Sequence, residues 1–346
     1  MEFLSEYGLF LAKTITFMVA VLFVAGSLAS LAQRHKKSGD WQLEVTKLNE
    51  RFKHYRDEIE HHLLDRAELK RRYKAEKKAL KERQKTAKNA ASGAENPVGR
   101  VFVLDFHGDI RASEVSSFRE AVTALLGFVT SADEIVVRLE SPGGMVHSYG
   151  LAASQMARLR SAGIPLTVCV DKVAASGGYL MACIANRIIA APFAVIGSIG
   201  VVAQIPNVNR LLKRHDIDVE VLTAGEYKRT LTILGENTPK GREKFQQDLE
   251  ETHELFKQWV ADYRPHLNIE DVAKGEVWYG SRALQRGLID AVQTSDDYLL
   301  GRTAEVDVFH VRYLERKKLA EKLGLAMASA VESAGLRLHR WLGPGN

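Results

Sequence analysis

A serine and a lysine in this sequence have settings that suit covalent catalysis. Ser176 lies in the run AASGG (174–178), directly before an apolar stretch that is typical of a helix. A turn of small residues at this position can present a hydroxyl group as a nucleophile. Lys228 follows in the segment AGEYKRT (224–230), which has mostly small and apolar surroundings. The pair predicts hydrolysis of peptide bonds by a Ser-Lys dyad, with Ser176 as the nucleophile and Lys228 as the general base.

Two glycines are expected to stabilise the negative charge that develops during amide hydrolysis. Gly177 lies next to the nucleophile, and Gly143 belongs to the run ESPGG (140–144). Backbone N–H groups are common donors to such an oxyanion, and a glycine leaves room for the substrate carbonyl. We therefore predict an oxyanion hole formed by the amides of Gly143 and Gly177. Each motif alone is more often an ordinary turn or helix cap, and the catalytic interpretation rests on their combination.

The choice of Lys228 as base depends on its surroundings. A free lysine has a pKa of about 10.4, so the amine must be buried among apolar groups to lose its proton near neutral pH. Leu222 and Leu231 are candidates for that burial, whereas Glu226 would oppose it. His147 is the best rival base. Lys172, in the turn before the serine, is interpreted as a surface lysine.

The elements that must position these residues alternate between strand and helix. Strands are predicted over 101–106, 134–139, 166–170 and 187–191, and helices over 113–129, 146–159 and from 176 onward. This order is typical of an α/β fold with a largely parallel sheet, whose sites lie at the carboxyl ends of the strands. The glycine pair and Ser176 both follow predicted strands, so we expect them to meet at one edge of the sheet.

Other apolar residues of this region are assigned to its core. The run 188–203 is interpreted as sheet core and not as a membrane span, because it is short and is interrupted by Pro192, Gly197 and Gly200. Cys169 and Cys183 are interpreted as small buried residues. Nothing in their spacing supports a disulfide between them.

An uncharged stretch over residues 14–33 is long enough to cross a bilayer. Its 20 residues would span about 30 Å as a helix. A cleaved signal peptide is the alternative, but Glu2 and Glu6 precede the stretch, whereas signal peptides begin with basic residues and have shorter apolar cores. We therefore expect a membrane anchor. The basic run RHKK (34–37) favours the cytoplasmic side for the rest of the chain, with the periplasmic side as the alternative.

Positive charge is concentrated in the segment after this stretch. Residues 34–88 contain 18 Lys and Arg against 10 Asp and Glu, a net charge of +8, whereas the whole chain carries +5. The sequence has no zinc-type cysteine spacing and no aromatic-basic RNA motif, so this charge favours a membrane surface over nucleic acid as partner. Residues 41–88 lack Pro and Gly and are predicted to be helical. A coiled-coil stalk and a charged helix lying near anionic lipid both fit this pattern.

These observations predict that the chain has four parts. They are an N-terminal membrane anchor (1–33), a charged helical stalk with a linker (34–98), a catalytic α/β domain (99–300) and a C-terminal part (301–346). The C-terminal part is predicted to contain a strand over 306–311 and an amphipathic helix over 313–341. That helix would pack on its own domain, on the membrane or on another subunit.

Several motifs occur in the order found in the signal peptide peptidase A family of serine peptidases, family S49. They are SPGG (141–144), ASGGY (175–179), IGSIGV (196–201), YKR (227–229), WYGSRA (278–283) and GLID (287–290). The resemblance covers about residues 100–295. With its predicted anchor, charged stalk and single catalytic unit, the chain is most similar to the short inner-membrane members of that family.

The resemblance implies a ClpP/crotonase-like fold, with Ser176 as nucleophile, Lys228 as general base, and oxyanion amides from Gly143 and Gly177. It also implies that Ser198 lies near the lysine as an orienting hydroxyl. Relatives form ring-like homo-oligomers with active sites at subunit interfaces, and they act on membrane-derived peptides such as signal-peptide remnants. The resemblance implies a bacterial inner membrane and a catalytic domain on its outer face, in conflict with the basic run 34–37. No cofactor and no metal are expected.

Two other function classes are compatible with parts of the pattern. A crotonase-like acyl-CoA enzyme also uses glycine amides around a thioester carbonyl, although Ser176 and Lys228 would then have no role. A noncatalytic membrane scaffold would retain the fold alone. Turnover of a peptide substrate distinguishes both from a peptidase.

Overall fold

The computed structural model describes residues 41–91 and 99–315, together with the single positions 8, 13 and 16. The chain divides into two compact units, residues 43–314 and residues 1–42 with 315–346. Nearly all described residues belong to the first unit. The predicted anchor over 14–33, apart from Thr16, and the predicted tail helix beyond residue 315 lie outside the described residues. Of the helices in the described residues, none has the length and apolar character needed to cross a membrane.

A seven-stranded sheet forms the centre of the first unit. Its strands are β1 (Trp41–Lys47), β2 (Val101–His107), β3 (Glu134–Glu140), β4 (Leu166–Val170), β6 (Arg187–Ala190), β9 (Ala291–Val292) and β10 (Val308–Glu315). Their order across the sheet is β1-β10-β2-β3-β4-β6-β9. Every neighbouring pair from β10 to β9 is parallel. The expected α/β fold with a largely parallel sheet is therefore confirmed.

A smaller sheet carries the turn that contains Ser176. It consists of β5 (Val173–Ala175), β7 (Val195–Gly197) and β8 (Val277–Tyr279), in the order β5-β7-β8. The first pair is parallel and the second antiparallel. A single parallel bridge between Ser141 and Ala174 joins this sheet to the segment that follows β3.

Helices cover both faces of the large sheet. They are α1 (Leu48–Leu63), α2 (Arg66–Ala91), α3 (Val115–Leu126), α4 (Val146–Ser161), α5 (Gly177–Ala182), α6 (Asn209–Arg214), α7 (Pro239–Tyr263), α8 (Ile269–Val272), α9 (Gly280–Gln285) and α10 (Ser295–Glu305). Residues 201–238 are irregular apart from α6.

Side chains alternate along β2 between two apolar cores, as period-two geometry requires. Phe102, Leu104 and Phe106 belong to the larger core, to which α3, α4, α5 and α7 also contribute. Val101 and Val103 point to the opposite face and belong to a smaller core with residues of α1 and α10. The larger core fixes the helices that surround Ser176.

The motif GLID (287–290) fastens α5 to the sheet. The buried hydroxyl of Tyr179 donates to the carbonyl of Leu288 at 2.9 Å. The Asp290 carboxylate accepts from the N–H of Ile188 at 2.7 Å and from the buried Arg264 guanidinium at 2.7 Å. The motif thus has a structural role behind the turn of Ser176.

Most predicted elements of the catalytic region occur near their expected bounds, including β2, β3, β4, β6, α3 and α4. The run 188–203 contains most of β6 and all of β7, whose largely buried residues confirm the interpretation as sheet core, whereas Phe193 and Val202 in the same run are exposed. Residues 313–315 differ from the prediction, because they extend β10 instead of starting a helix. Val311 and Tyr313 pack on the larger core and keep this segment extended.

The prediction of one helix over 41–88 is wrong at its start and near its middle. Residues 41–47 form β1, and α1 ends before a break at Leu64, whose ψ is 148°. Asp65 then accepts hydrogen bonds from the N–H groups of Ala67 and Glu68 and so caps α2. Helix propensity predicts none of this, because β1 is held by non-local contacts. The Arg312 guanidinium of β10, for example, donates to the Glu44 carboxylate of β1 at 3.1 Å.

Asp133 at the start of β3 offers a test of how this strand is held. Its carboxylate is 2% exposed and accepts hydrogen bonds from Arg100 and Thr130. Burial alone would raise the pKa of Asp133, but the bonds from Arg100 hold that pKa well below its ordinary value. Since the pKa is depressed in the folded state, the stabilisation is present above about pH 4, the unfolded value, and is lost as pH falls through the folded pKa.

We expect Asp133→Asn to lower the free energy of unfolding by about 2–3 kcal/mol at neutral pH, because charge-assisted hydrogen bonds are lost. Urea denaturation followed by circular dichroism measures the change. The exposed Asp262 provides the matched control, and Asp262→Asn is expected to change little. The deficit of Asp133→Asn should shrink as the pH is lowered towards 3. Equal losses in the two variants would contradict this account.

Candidate active site

The turn that carries Ser176 has a strained backbone that is held by hydrogen bonds. Ser176 joins β5 to α5, and its φ of +52° is one that side-chain-bearing residues rarely adopt. Such a conformation costs about 1–3 kcal/mol and persists only where the surroundings impose it. The N–H of Ser176 donates to the carbonyl of Gly197 at 2.8 Å, and its own carbonyl accepts from the N–H of Leu180 at 2.9 Å. These bonds hold the half-buried serine at the tip of a sharp strand-to-helix turn.

Gly143 lies so close to this turn that no side chain would fit. Its φ is +91°, and a Cβ built there would lie 2.7 Å from the Cβ of Ser176 and 2.8 Å from the N of Gly177. The structure therefore brings together Ser176, Gly143 and Gly177, which the sequence analysis assigned to one site. The carboxyl-end loops of β3 and β5 meet here.

The amides around the serine differ in their hydrogen bonds. Gly143 N–H donates to the Ser141 hydroxyl at 3.0 Å. Gly177 is the first residue of α5, so its N–H has no partner within that helix. Within the described chain, Gly144 N–H makes no backbone or side-chain hydrogen bond, and Gly144 lines the cavity beside Ser176. Gly144 is thus an amide at the site that sequence reasoning did not single out.

The turn at 197–198 supports the serine from the small sheet. Gly197 has a φ of +107° and Ser198 a φ of +53°. The ring of Trp278 packs on Gly197, where a Cβ would lie only 2.9 Å from it. The Gly197 carbonyl accepts a hydrogen bond from the Ser176 N–H. The motif WYGSRA (278–283) therefore supports the position of Ser176 indirectly, through the contact of Trp278 with Gly197. Ser198 is the neighbour of that carbonyl, and its N–H donates to Glu276 O at 2.6 Å.

A mainly apolar cavity of about 340 Å³ opens beside Ser176. Helix α4 forms one wall with Val146 and Gly150, and α7 forms another with Phe256 and Trp259. The Trp259 indole N–H donates to the carbonyl of Leu180 at 3.1 Å, which joins α7 to α5. The cavity has the size and apolar lining of a site for a side chain of a ligand.

Lys228 does not line this cavity. It lies in the irregular segment 201–238 with an exposed side chain, and its N–H donates to the carbonyl of Gly225 at 3.2 Å. Glu226, which was expected to oppose its role as a base, is instead paired with Lys240. Large apolar side chains in the same segment are also exposed, among them Val202 (91%) and Leu222 (89%). The expected burial of Lys228 among apolar groups is absent from the described single subunit.

The rival bases also lie away from the cavity. His147 is exposed in the first turn of α4 and is not among the residues that line the cavity. Lys172 has an exposed side chain, as interpreted from the sequence, and forms an ion pair with Glu140 at 3.0 Å. Cys169 and Cys183 are free and buried. Burial raises the pKa of both thiols, which makes neither a reactive group.

Two buried hydroxyl groups beneath the site were missed by sequence reasoning. Ser141 starts the SPGG run and accepts the Gly143 N–H, and Tyr149 contacts Ser141 from α4. Position gives the one sequence signal for Tyr149, because it lies on the helix that follows the glycine pair and faces the core. Its hydrogen bonds depend on side-chain directions that the sequence does not encode locally.

The sequence matches two family descriptions along most of its length. Residues 2–156 match "Peptidase family S49 N-terminal", and residues 158–308 match "Peptidase family S49". A protein named "Probable protease SohB" from Haemophilus influenzae is 51% identical over 98% of this chain and 96% of its own length. A "Probable protease SohB" from Buchnera aphidicola is 43% identical over 98% of both chains.

More distant matches cover part of the chain. "Protease 4" from Salmonella typhi is 31% identical over 52% of this chain and 30% of its own length. A solved structure of a membrane-bound stomatin-specific protease in complex with a substrate peptide is 17% identical, with a TM-score of 0.40. It covers 68% of this chain and 100% of that chain.

Replacement of Gly143 by alanine tests the tight contact with the serine turn. Gly163 is a matched control, because its φ of +72° is also left-handed while its Cβ position has no neighbour within 4 Å. Both Gly143→Ala and Gly163→Ala should lose about 1–2 kcal/mol of unfolding free energy from the backbone conformation. Gly143→Ala should lose about 1–3 kcal/mol more through the clash, as measured by urea denaturation. Equal losses would contradict the contact.

Proposed function

This chain belongs to peptidase family S49, and on that premise we propose that it is a membrane-anchored serine endopeptidase that uses a Ser-Lys dyad. The observation that carries the proposal is the turn of Ser176, a serine with φ of +52° pressed against Gly143 and open to an apolar cavity. A strained serine between a strand and a helix, next to uncommitted amides, is the arrangement that acyl transfer requires. No arrangement of this kind is needed for a passive scaffold.

The proposed reaction proceeds by two acyl transfers. The neutral Lys228 amine accepts the hydroxyl proton of Ser176 while Oγ attacks the carbonyl carbon of the peptide bond. The C–N bond then breaks, and the ammonium of Lys228 returns the proton to the leaving amine. A water molecule attacks the resulting ester with Lys228 again as base, which releases the carboxylic acid and regenerates the serine.

The negative charge on the substrate oxygen would be stabilised by backbone amides. Gly177 supplies the first and the turn 143–144 supplies the second. Gly143 N–H is already bonded to Ser141, so it contributes as an oxyanion donor only if that bond opens. Gly144 N–H has no such bond and lines the cavity, which makes it the better placed donor of the turn.

The base requires a surface that one subunit lacks. A lysine acts as a general base only where water is excluded from its amine, yet the Lys228 side chain is exposed here. The exposed Leu222 and Val202 of the same segment are suited to contact with a second copy of the chain. We therefore include in the proposal a ring-like homo-oligomer with the active site at the subunit interface, where Ser198 orients Lys228. A ClpP/crotonase-like fold is part of the same proposal.

The proposed substrates are peptides with apolar side chains, such as membrane-associated or signal-peptide-derived peptides. The apolar walls of the cavity support this class, because an apolar side chain gains about 25 cal/mol for each Å² that it buries. The anchor over 14–33 would hold the enzyme at a bacterial inner membrane, close to such peptides. The basic run 34–37 favours the cytoplasmic face for the catalytic domain.

Removal of either member of the dyad should abolish peptide cleavage. Ser176→Ala and Lys228→Ala are each expected to lower kcat by on the order of 10³-fold or more, because each removes a group that acts in the transition state. Lys172→Ala is the control, since Lys172 is a nearby surface lysine paired with Glu140. Cleavage of a fluorogenic peptide by the detergent-solubilised full chain is the measurement. A fully active Ser176→Ala protein would reject the proposal.

Mixing two inactive variants tests whether the serine and the lysine of one active site come from different subunits. If the dyad crosses the subunit interface, co-assembly of Ser176→Ala and Lys228→Ala subunits restores part of the activity, because some sites then combine an intact serine with an intact lysine. Restoration by mixing supports the interface, whereas inactive mixed assemblies place both groups in one subunit.

Gly150 provides a test of the cavity as a substrate pocket. It lines the cavity from α4, and a Cβ built on it has no neighbour within 4 Å. Gly150→Val would narrow the cavity, and the open space at its Cβ position leaves room for the new side chain. We expect kcat/KM to fall by about 10- to 100-fold for peptides with a large apolar residue at the cleavage site, and to change little for their alanine counterparts.

Gly301 in α10 is the matched control, since it is also a helical glycine with open space around its Cβ position. Gly301→Val should leave both peptide classes unaffected. Equal losses for large and small residues in Gly150→Val would show that the cavity does not select the substrate side chain.

A further inference from the structure

Tyr149 lies where three loops meet beneath the site. It belongs to α4 and is fully buried. Its hydroxyl contacts the loop after β2 through Asp109 and the loop after β3 through Ser141, and its ring contacts the serine turn at Gly177. No cofactor, ion pair or catalytic proton transfer described above makes use of it.

The hydrogen bonds at Tyr149 have one consistent direction. The carbonyl of Asp109 only accepts, so the Tyr149 hydroxyl donates to it, at 2.8 Å. With its proton used there, Tyr149 must accept from the Ser141 hydroxyl, 2.5 Å away. Ser141 in turn accepts from the N–H of Gly143 at 3.0 Å. A directional chain therefore runs from Gly143 through Ser141 and Tyr149 to Asp109, and each donor is used once.

The same side chain supports the other half of the site. A Cβ built on Gly177 would lie 2.4 Å from Cγ of the Tyr149 ring, so the backbone of Gly177 lies directly on the ring face. The ring thus limits how closely Gly177, the first residue of α5, can approach the core. The direction of the Gly177 N–H follows from that depth.

Ser141 connects the two halves through its main chain. Its N–H donates to the carbonyl of Val173 at 2.8 Å, and its carbonyl accepts from the N–H of Ala175 at 3.0 Å. A Cβ on Gly178 would lie 2.5 Å from this carbonyl. Ser141 is therefore held rigidly between the loop of Gly143 and the strand that ends at Ser176.

We propose that Tyr149 is a positioning residue that aligns both amide donors of the site, the turn 143–144 through Ser141 and Gly177 through its ring. Fixing the Gly143 N–H inward on Ser141 orients the next peptide, so that the N–H of Gly144 faces the cavity. The catalytic part of this inference rests on the proposed peptidase function. Burial raises the pKa of Tyr149, which keeps the hydroxyl protonated and the chain of donors intact in neutral and mildly alkaline solution.

The principal test is Tyr149→Phe in the full-length chain. The variant keeps the ring under Gly177 and removes only the hydroxyl. We expect kcat for peptide cleavage to fall by about 10- to 100-fold with KM nearly unchanged, because donors misaligned for the transition state cost less than a donor removed outright. Tyr179→Phe is the matched control, since Tyr179 is equally buried and also donates to a main-chain carbonyl, that of Leu288.

A comparable loss of thermal stability in the two variants, with the fall in kcat confined to Tyr149→Phe, supports positioning. Equal falls in kcat would overturn the proposal, because they would show a general effect of losing a buried hydrogen bond. A fall that appears in KM alone would also overturn it, since orientation of oxyanion donors acts in the transition state.

A double-mutant cycle with Ser141→Ala tests the series of hydrogen bonds from Gly143 to Asp109. Ser141→Ala and Tyr149→Phe interrupt the same series of bonds, so the double variant should be no slower than the slower single variant. If the fold-reductions in kcat of the two single variants multiply in the double variant, the two hydroxyls act independently. The series of hydrogen bonds would then have no role in catalysis.

Hydrogen–deuterium exchange gives a readout that does not depend on catalysis. Tyr149→Phe should increase exchange in the segment 141–148, whereas Tyr179→Phe should not, because only the former loosens the bond that protects Gly143 N–H. Unchanged exchange in Tyr149→Phe would overturn the positioning even if the enzyme cleaves peptides. Increased exchange in a chain whose Ser176→Ala variant retains full activity would preserve the positioning and reject the proposed function.

Discussion

The contact between Gly143 and the turn of Ser176 is the constraint on which the site depends. It joins a loop from the large sheet to a loop from the small sheet, and there is no room at the contact for even one methyl group. Ser176 remains at a φ of +52° because its main-chain hydrogen bonds and the contact with Gly143 oppose its relaxation. The free-energy cost of that backbone conformation is offset by the packing of the two sheets behind both loops.

The site therefore consists of two parts that differ in rigidity. The serine, the glycine amides and the apolar cavity are built on strand ends and on buried helices, so their geometry exists before any substrate arrives. The proposed base lies on an irregular and exposed segment. In the proposed oligomer, where a second subunit completes the surroundings of the base, cleavage would depend on assembly of the subunits.

Sequence reasoning succeeded where the signal is local. Glycine-rich runs after apolar strands identified the fold class and the neighbourhood of Ser176 and Gly143, because the carboxyl ends of parallel strands meet at one edge of a sheet. It failed where distant contacts decide the outcome. Residues 41–47 have a helix-like composition yet form a strand beside β10, and the commitment of Gly143 N–H to Ser141 depends on the direction of a buried hydroxyl. The exposure of Lys228 was not predicted either, because its apolar neighbours in sequence, such as Leu222, are themselves exposed.

The position of β10 in the sheet has a consequence for folding during synthesis. This strand is made after all the others in the described chain, yet it lies between β1 and β2, which are made first. While the ribosome is still translating, β2 therefore lacks one neighbour and β1 has no place in the sheet. The nascent chain must wait for residues 308–310, which pair with 101–103, before this edge can close. Closure of this sheet is thereby coupled to the synthesis of β10, and a chain terminated before residue 308 would leave β2 with an unpaired edge.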